Sequence, residues 1–177
     1  MMQVGVEIVP YNQQWSEAFQ AIKLVISKAL PDLIIEIEHV GSTSIHGLGA
    51  KPILDIDIVI ASDDSLPEVI KGLEKIGYLH QEEWSFEGRE AFGRKDIFTP
   101  WNETDTHWMQ HHLYVCNQDS IELAKHLAFR DYLRNNPEAV MEYESVKRNL
   151  TRTVSDRKSY TLGKTEFINR ILEKAMI

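Results

Sequence analysis

The chain has 177 residues, 43% hydrophobic and 26% charged, with a formal net charge of −8. That length supports one domain with a core of its own, and such acidity argues against sequence-independent nucleic-acid binding, which draws its affinity from a basic surface. The charge is uneven: residues 1–120 hold 8 basic and 19 acidic side chains, whereas residues 121–177 hold 11 basic and 8 acidic. The single cysteine, Cys116, excludes an intramolecular disulfide and a multi-cysteine zinc site. No apolar run approaches the ~20 residues of a membrane span. The opening Met-Met-Gln-Val-Gly-Val-Glu lacks the charged start and apolar centre of a signal peptide. A cytoplasmic location is therefore expected, with no membrane and no nucleic-acid partner.

In chain order, Val4 to Val9 reads as a short strand ended by Pro10. Trp15, Phe19, Ile22, Ile26 and Ala29 recur at helical spacing until Pro31. Ile34 to Val40 alternates, with Ile35 and Ile37 opposed to Glu36 and Glu38, as in a half-buried strand. A loop of small residues runs from Gly41 to Ala50, and Pro52 opens a strand through Ile60. Val69, Ile70, Leu73 and Ile76 mark a second helix that Gly77 stops. Strands are expected over Phe92–Phe98 and Trp108–Cys116, separated by a loop with Pro100, Asn102 and Asp105. From Ser120 the pattern is helical. Ile121, Ala124, Leu127, Ala128 and Tyr132 form one apolar stripe, and two more helices are expected over about 138–154 and 160–175. This order implies one α/β (α+β) domain: a mixed sheet with flanking helices over residues 1–119 and a C-terminal helical cap over 120–177.

The chemistry concentrates in Leu54-Asp-Ile-Asp-Ile-Val-Ile60. On a strand, Leu54, Ile56, Ile58 and Ile60 share one face while Asp55 and Asp57 share the other. Two carboxylates this close repel each other, and a divalent cation such as Mg²⁺ (or Mn²⁺) relieves the repulsion. The competing reading is a solvated strand face, the commoner fate of a bare Asp-x-Asp. The preceding loop shifts the balance. Gly41 allows close backbone approach, Ser42, Thr43 and Ser44 offer hydroxyls and amides to phosphate, and Lys51 adds a cation.

His39-Val-Gly-Ser-Thr-Ser-Ile-His-Gly-Leu-Gly-Ala-Lys-Pro-Ile-Leu-Asp-Ile-Asp57 resembles the signature of the GrpB family. Phe129-Arg-Asp-Tyr-Leu-Arg-Asn-Asn-Pro137 and Tyr160-x3-Lys164-x2-Phe167-Ile168 are similar to that family's C-terminal pattern, so the resemblance spans roughly residues 6–170. It implies a nucleotidyltransferase-like fold, with Gly41 and Ser42 on nucleotide phosphates, Asp55 and Asp57 on metal, and a third carboxylate on a later strand. It also brings in a fusion partner found in some bacteria, the enzyme that phosphorylates dephospho-coenzyme A. The expected third acid is not evident: Trp108–Cys116 directs Gln110, His112 and Tyr114 to the site. His112 is the candidate base or metal ligand in its place, with Asp96 as a weaker substitute.

His107 and His111, four apart, would suit zinc on a helix, but the surrounding loop-and-strand reading favours packing and hydrogen bonding. Leu162-Gly-Lys-Thr165 lacks the upstream glycine of a P-loop, Gly47-x-Gly49 lacks the third glycine of a dinucleotide fingerprint, and Ser42 and Ser44 lack the frame of a hydrolase nucleophile. Between residues 147 and 164 lie Lys147, Arg148, Arg152, Arg157, Lys158 and Lys164 against the single acid Asp156. This is either a solvated surface or a phosphate clamp in which Arg130, Lys147 or Lys164 reaches a triphosphate while Tyr160 stacks on base or sugar. The expected activity is metal-dependent transfer of a nucleotidyl group from an NTP to a small-molecule or protein hydroxyl. The alternatives are a non-catalytic module binding a nucleotide or coenzyme-A precursor, and an interaction domain with a vestigial pocket.

Overall fold

The computed structural model describes residues 7–176. Of the expected first strand, residues 4–6 lie outside that range, and Val9 makes an isolated antiparallel bridge to Ala50. The elements are α1 (Gln14–Ala29), β1 (Glu36–Val40), β2 (Leu54–Ile60), α2 (Leu66–Lys75), β3 (Tyr78–His80), β4 (Glu90–Arg94), β5 (His111–Asn117), α3 (Ile121–Arg134), α4 (Pro137–Thr153) and α5 (Arg157–Ala175). The five strands form one mixed sheet in the order β1-β2-β5-β4-β3. Only β2 and β5 pair in parallel; the other pairs are antiparallel.

Period-2 alternation sorts the two faces of β2. Leu54, Ile56, Ile58 and Ile60 are fully buried, together with Leu113 and Val115 of β5, against Trp15, Phe19, Ile22 and Ile26 of α1 and Val69 and Leu73 of α2. Each such aliphatic side chain contributes about 1.5–3 kcal/mol of transfer free energy. The opposite face meets the C-terminal helices. Val59 and Cys116 bury with Leu123 of α3, and a further cluster joins Phe129, Leu133, Tyr143, Phe167 and Ile171 to Ile45 and Leu48 of the loop before β2.

Two expectations need correction. The strand read over Phe92–Phe98 stops at Arg94, because Asp96 accepts from the Phe98 amide at 2.9 Å and turns the chain. The apolar stripe read on α3 is rotated: Ile121 is 69% exposed, and the residues turned inward are Leu123, Phe129 and Leu133. Ser120 caps this helix by accepting from the Leu123 amide at 3.2 Å. Among the described residues, no helix is long and apolar enough to cross a membrane.

Candidate functional site

Strand register places the chemistry. Asp55 lies beside His112 and Asp57 beside Tyr114 on β5, while Val40 and Glu38 of β1 flank the same two aspartates from the other side. One row of this face therefore reads Val40, Asp55, His112 and the next Glu38, Asp57, Tyr114. The two aspartates have different surroundings. Asp55 is partly exposed and its Oδ1 lies 3.3 Å from His112 Nδ1. Asp57 is fully buried. Its Oδ2 accepts from Nδ1 of His126 on α3 at 2.6 Å, and its Oδ1 has no hydrogen-bond partner among the described residues. Burial opposes a charge on His126, but the hydrogen bond to Asp57 and the nearby carboxylates of Asp57, Glu122 and Asp55 outweigh it and raise the imidazole above its ordinary pKa.

The loop after β1 is folded tightly against Asp55. Gly41 has φ +73°, and a Cβ there would lie 2.4 Å from Asp55 Oδ2, so any other residue would be strained and would displace the Asp55 carboxylate. Ser42–Ser44 then forms a single 3₁₀ turn in which Ser44 Oγ donates to the Gly41 carbonyl at 2.6 Å. Thr43 Oγ1 lies 2.9 Å from His39 Nε2, and the His39 ring stacks on Phe19. Burial pushes His39 down to about 4, with Arg134 adding to the shift, so it is neutral at pH 7. Arg134 of α3 donates twice to the Ser44 carbonyl, at 3.1 and 3.0 Å. Further along, Glu144 accepts from the Gly49 amide and Lys147 donates to the Gly49 carbonyl at 2.5 Å, both from α4.

A cleft of about 160 Å³ opens beside Asp55. Ser42, Thr43, Lys51 and Asp55 line it from the loop and β2, His112 from β5, and Lys147, Tyr160 and Lys164 from the C-terminal helices. Lys51 and Lys164 place their ammonium groups 5.5 and 4.8 Å from the centre of the Tyr160 ring. All three lysines are pushed below their ordinary range. Burial is the first cause, and positive neighbours come next: Lys164 beside Lys147, Lys51 beside Lys164, and Arg157 beside Lys51. Lys147 falls to about 7 and Lys164 to about 8. The Tyr160 hydroxyl is buried, with no hydrogen-bond partner among the described residues.

Of the residues singled out from sequence, Ser42, Thr43, Lys51, Asp55, His112, Lys147, Tyr160 and Lys164 converge on this cleft, with Gly41 against Asp55. Ser44 and Asp57 are buried and do not line it. Arg130 does not line it: its Nη1 donates to Glu38 at 2.6 Å and to the His39 carbonyl, and its Nε to Asp131. Tyr160 is 1% exposed beneath two ammonium groups, a geometry that does not offer its ring to a base. Asp96 lies by a separate groove with Lys95 and Trp101, away from the aspartate pair. His107 packs on Phe98, and His111 is held by the Tyr78 hydroxyl and the Met109 carbonyl. Among the described residues no three His, Cys, Asp or Glu side chains gather as a metal cage. Sequence reading missed His126, Glu38 and Arg134. The available signal was helical spacing: His126, Arg130 and Arg134 recur every four residues, one stripe on the sheet-facing side of α3.

A family model described as GrpB protein matches residues 5–174. The chain belongs to the GrpB family. Among GrpB relatives, it is 34% identical to the glutamate-rich protein GrpB of Alkalihalophilus pseudofirmus over 94% of each chain. It is 32% identical to the UPF0157 protein YqkA of Bacillus subtilis over 96% of this chain, and spans about half (47%) of that longer protein. The crystal structure of GrpB from Enterococcus faecalis superposes with a TM-score of 0.79 at 28% identity, covering 96% of both chains. The Cid1 poly(U) polymerase bound to MgGTP matches at TM-score 0.53 and 13% identity over 79% of this chain and 43% of that one. The GrpB fold is thus similar to that of nucleotidyltransferases.

Proposed function

We propose that the cleft binds the triphosphate of an NTP together with Mg²⁺ (or Mn²⁺), and that the site transfers the nucleotidyl group to a hydroxyl of a small molecule or protein. The observation that supports this reading is a juxtaposition. Asp55, beside a buried Asp57 Oδ1 that has no partner among the described residues, faces three lysines that burial and neighbouring cations keep below their ordinary pKa despite the offsetting carboxylates of Asp55 and Glu144. An orphaned buried carboxylate oxygen is costly, and a divalent cation satisfies it. Mg²⁺ accepts one or two carboxylates when phosphate oxygens complete its shell, so the donor set fits a metal delivered with its nucleotide.

In this reading Asp55 and Asp57 Oδ1 hold the cation, which when bound neutralises phosphate charge and polarises the phosphorus centre. His126 holds Asp57 from behind. The Ser42 and Thr43 hydroxyls and the Tyr160 hydroxyl donate to phosphate oxygens, and Lys51, Lys147 and Lys164 neutralise them. His112 is exposed beside Asp55 and is placed to take a proton from the attacking hydroxyl.

The test is release of pyrophosphate from NTPs with Mg²⁺ present. Asp55→Asn should lower it about 100-fold or more, since a cation's contribution is several kcal/mol. NTP binding that is absent at millimolar concentration with Mg²⁺ present rejects the reading. A second reading, binding without turnover, is favoured by one observation: β5 presents His112 and Tyr114 where a third carboxylate would serve. It predicts saturable binding and no pyrophosphate.

A further inference from the structure

The sheet face that carries the aspartates continues past Tyr114 to a second cationic group. Tyr114 lies beside Asp57, and Ala91 of β4 lies on its other side. Arg89, two residues before Ala91, shares that facing. Its guanidinium carbon sits 4.4 Å from the Tyr114 ring centre and 4.3 Å from that of Phe86. The Tyr114 ring in turn lies 6.5 Å from His126, the partner of Asp57. The stack therefore runs from an exposed aromatic, through a cation, to the buried aspartate. It stands at the Asp57 row, whereas the three lysines gather at the Asp55 row.

The segment holding this stack is fixed in place. Phe86 and Arg89 exchange backbone hydrogen bonds of 3.0 and 2.9 Å. Ser120 Oγ donates to the Gly88 carbonyl at 2.7 Å, tying the turn to the start of α3, and Gly88 has φ +89°. Ser85 Oγ donates to the Gln81 carbonyl and accepts from the Ala91 amide. Arg89 is a cation with spare capacity. Among the described residues it makes no ion pair, its Nη2 donates to the Trp84 carbonyl at 3.0 Å, and its Nε is buried without a partner. A guanidinium has five N–H donors in a planar fork that suits a carboxylate or phosphate. Phe86, 47% exposed, gives it apolar surface on one face, and Trp84, 65% exposed, belongs to the same segment.

We propose that Arg89, stacked between Phe86 and Tyr114, is the subsite for an anionic group, phosphate or carboxylate, on the acceptor whose hydroxyl is presented to the Asp55/Asp57 pair. This inference rests on the reading of the lysine cleft as the triphosphate site and assigns the acceptor class: a small hydroxyl compound bearing a negative charge, with its body against Phe86 and Trp84. Nucleotide and acceptor then approach Asp55, the open member of the pair, from different sides, the nucleotide from the lysine cleft and the acceptor from the β4 side of the sheet face.

The experiment is an NMR titration of the full chain with inorganic phosphate in one arm and succinate in the other. The Arg89 Nε–Hε signal, assigned by its loss in Arg89→Lys, and the Gly88 amide report the stack; the Ser42 and Thr43 amides report the lysine cleft. Saturable shifts at Arg89 and Gly88 are expected at millimolar concentration. They should persist in Lys51→Met/Lys164→Met protein, which silences the cleft, and the Gly88 response should weaken at least tenfold in Arg89→Lys, which keeps the charge but loses the fork. The arm that shifts Arg89 identifies phosphate or carboxylate as the group. Shifts confined to Ser42 and Thr43 overturn the acceptor subsite and leave the triphosphate site standing. Shifts at Arg89 with none at the cleft support the anion subsite and count against the nucleotide reading. Silence at Arg89 in both arms overturns the inference.

Discussion

Lys147 and Lys164 hold their protons weakly, at about 7 and about 8, because burial and neighbouring cations both disfavour the ammonium form. A bound triphosphate reverses the second cause and raises both values. Binding at pH 8 should therefore take up protons, which calorimetry in buffers of different ionisation enthalpy measures directly. NTP affinity should fall as pH rises from 7 to 9, a range in which the phosphates are already ionised. Without ligand the linkage has the opposite consequence for folding. The unfolded lysines stay protonated up to about 10.4, so the unfolded chain binds more protons across this window, and stability should rise with pH from about 7. An affinity that is flat between pH 7 and 9 removes the lysines from the site. Gly41 offers a purely steric counterpart. Gly41→Ala sets a methyl 2.4 Å from Asp55 Oδ2 at a positive φ, so Asp55 must swing away. Stability should drop by about 1 kcal/mol or more, and any Mg²⁺-dependent gain in NTP affinity should disappear while the lysine contribution remains.

At the scale of elements, α3 decides which aspartate is open. Arg130 and His126, one turn apart, sit over Glu38 and Asp57 and close that row of the sheet face, leaving Asp55 to the cleft. Both members of the Arg130–Glu38 pair are largely buried, with side chains 11% and 26% exposed. A double-mutant cycle of Arg130→Ala and Glu38→Ala, read by urea unfolding, should show a coupling of about 1–3 kcal/mol; coupling near zero would make the pair an incidental surface contact. This element also marks where sequence reading reached and where it stopped. The facing of Asp55, Asp57, His112 and Tyr114 was legible because strand side chains alternate strictly, and register then joined them. The small residues from Gly41 to Ala50 likewise marked a tight loop. The rotation of α3 was not legible, since a stripe chosen by hydrophobicity put Ile121 inside. The helix is instead turned by long-range contacts, His126 to Asp57 and Arg134 to Ser44, between residues 69 and 90 positions apart. Arg130 illustrates the same limit: its charge suggested phosphate, but a carboxylate on β1 had already claimed it.

For the whole molecule, the charge asymmetry acquires a spatial meaning. Residues 121–177 supply Lys147 and Lys164, residues 1–120 supply Asp55, and the cleft lies between them. The two parts are not separate in packing. Ile45 and Leu48, from the loop that shapes the cleft, are buried among Phe129, Leu133, Tyr143 and Phe167 of the helices. Glu144 and Lys147 satisfy both polar groups of Gly49. A chain ending at residue 119 would expose that apolar surface and strip the loop of its partners, so its Gly41–Ala50 segment should lose amide protection in hydrogen exchange. For the intact chain the expectation is one cooperative urea transition, the same by tryptophan fluorescence and far-UV circular dichroism. An NTP with Mg²⁺ at 100 times its dissociation constant should then shift that single transition by about 2.7 kcal/mol, because a ligand held by both parts stabilises only the state in which they are joined. Two resolved transitions, with the ligand moving one alone, would mean that the helices fold independently and that the nucleotide is held by one part without the other.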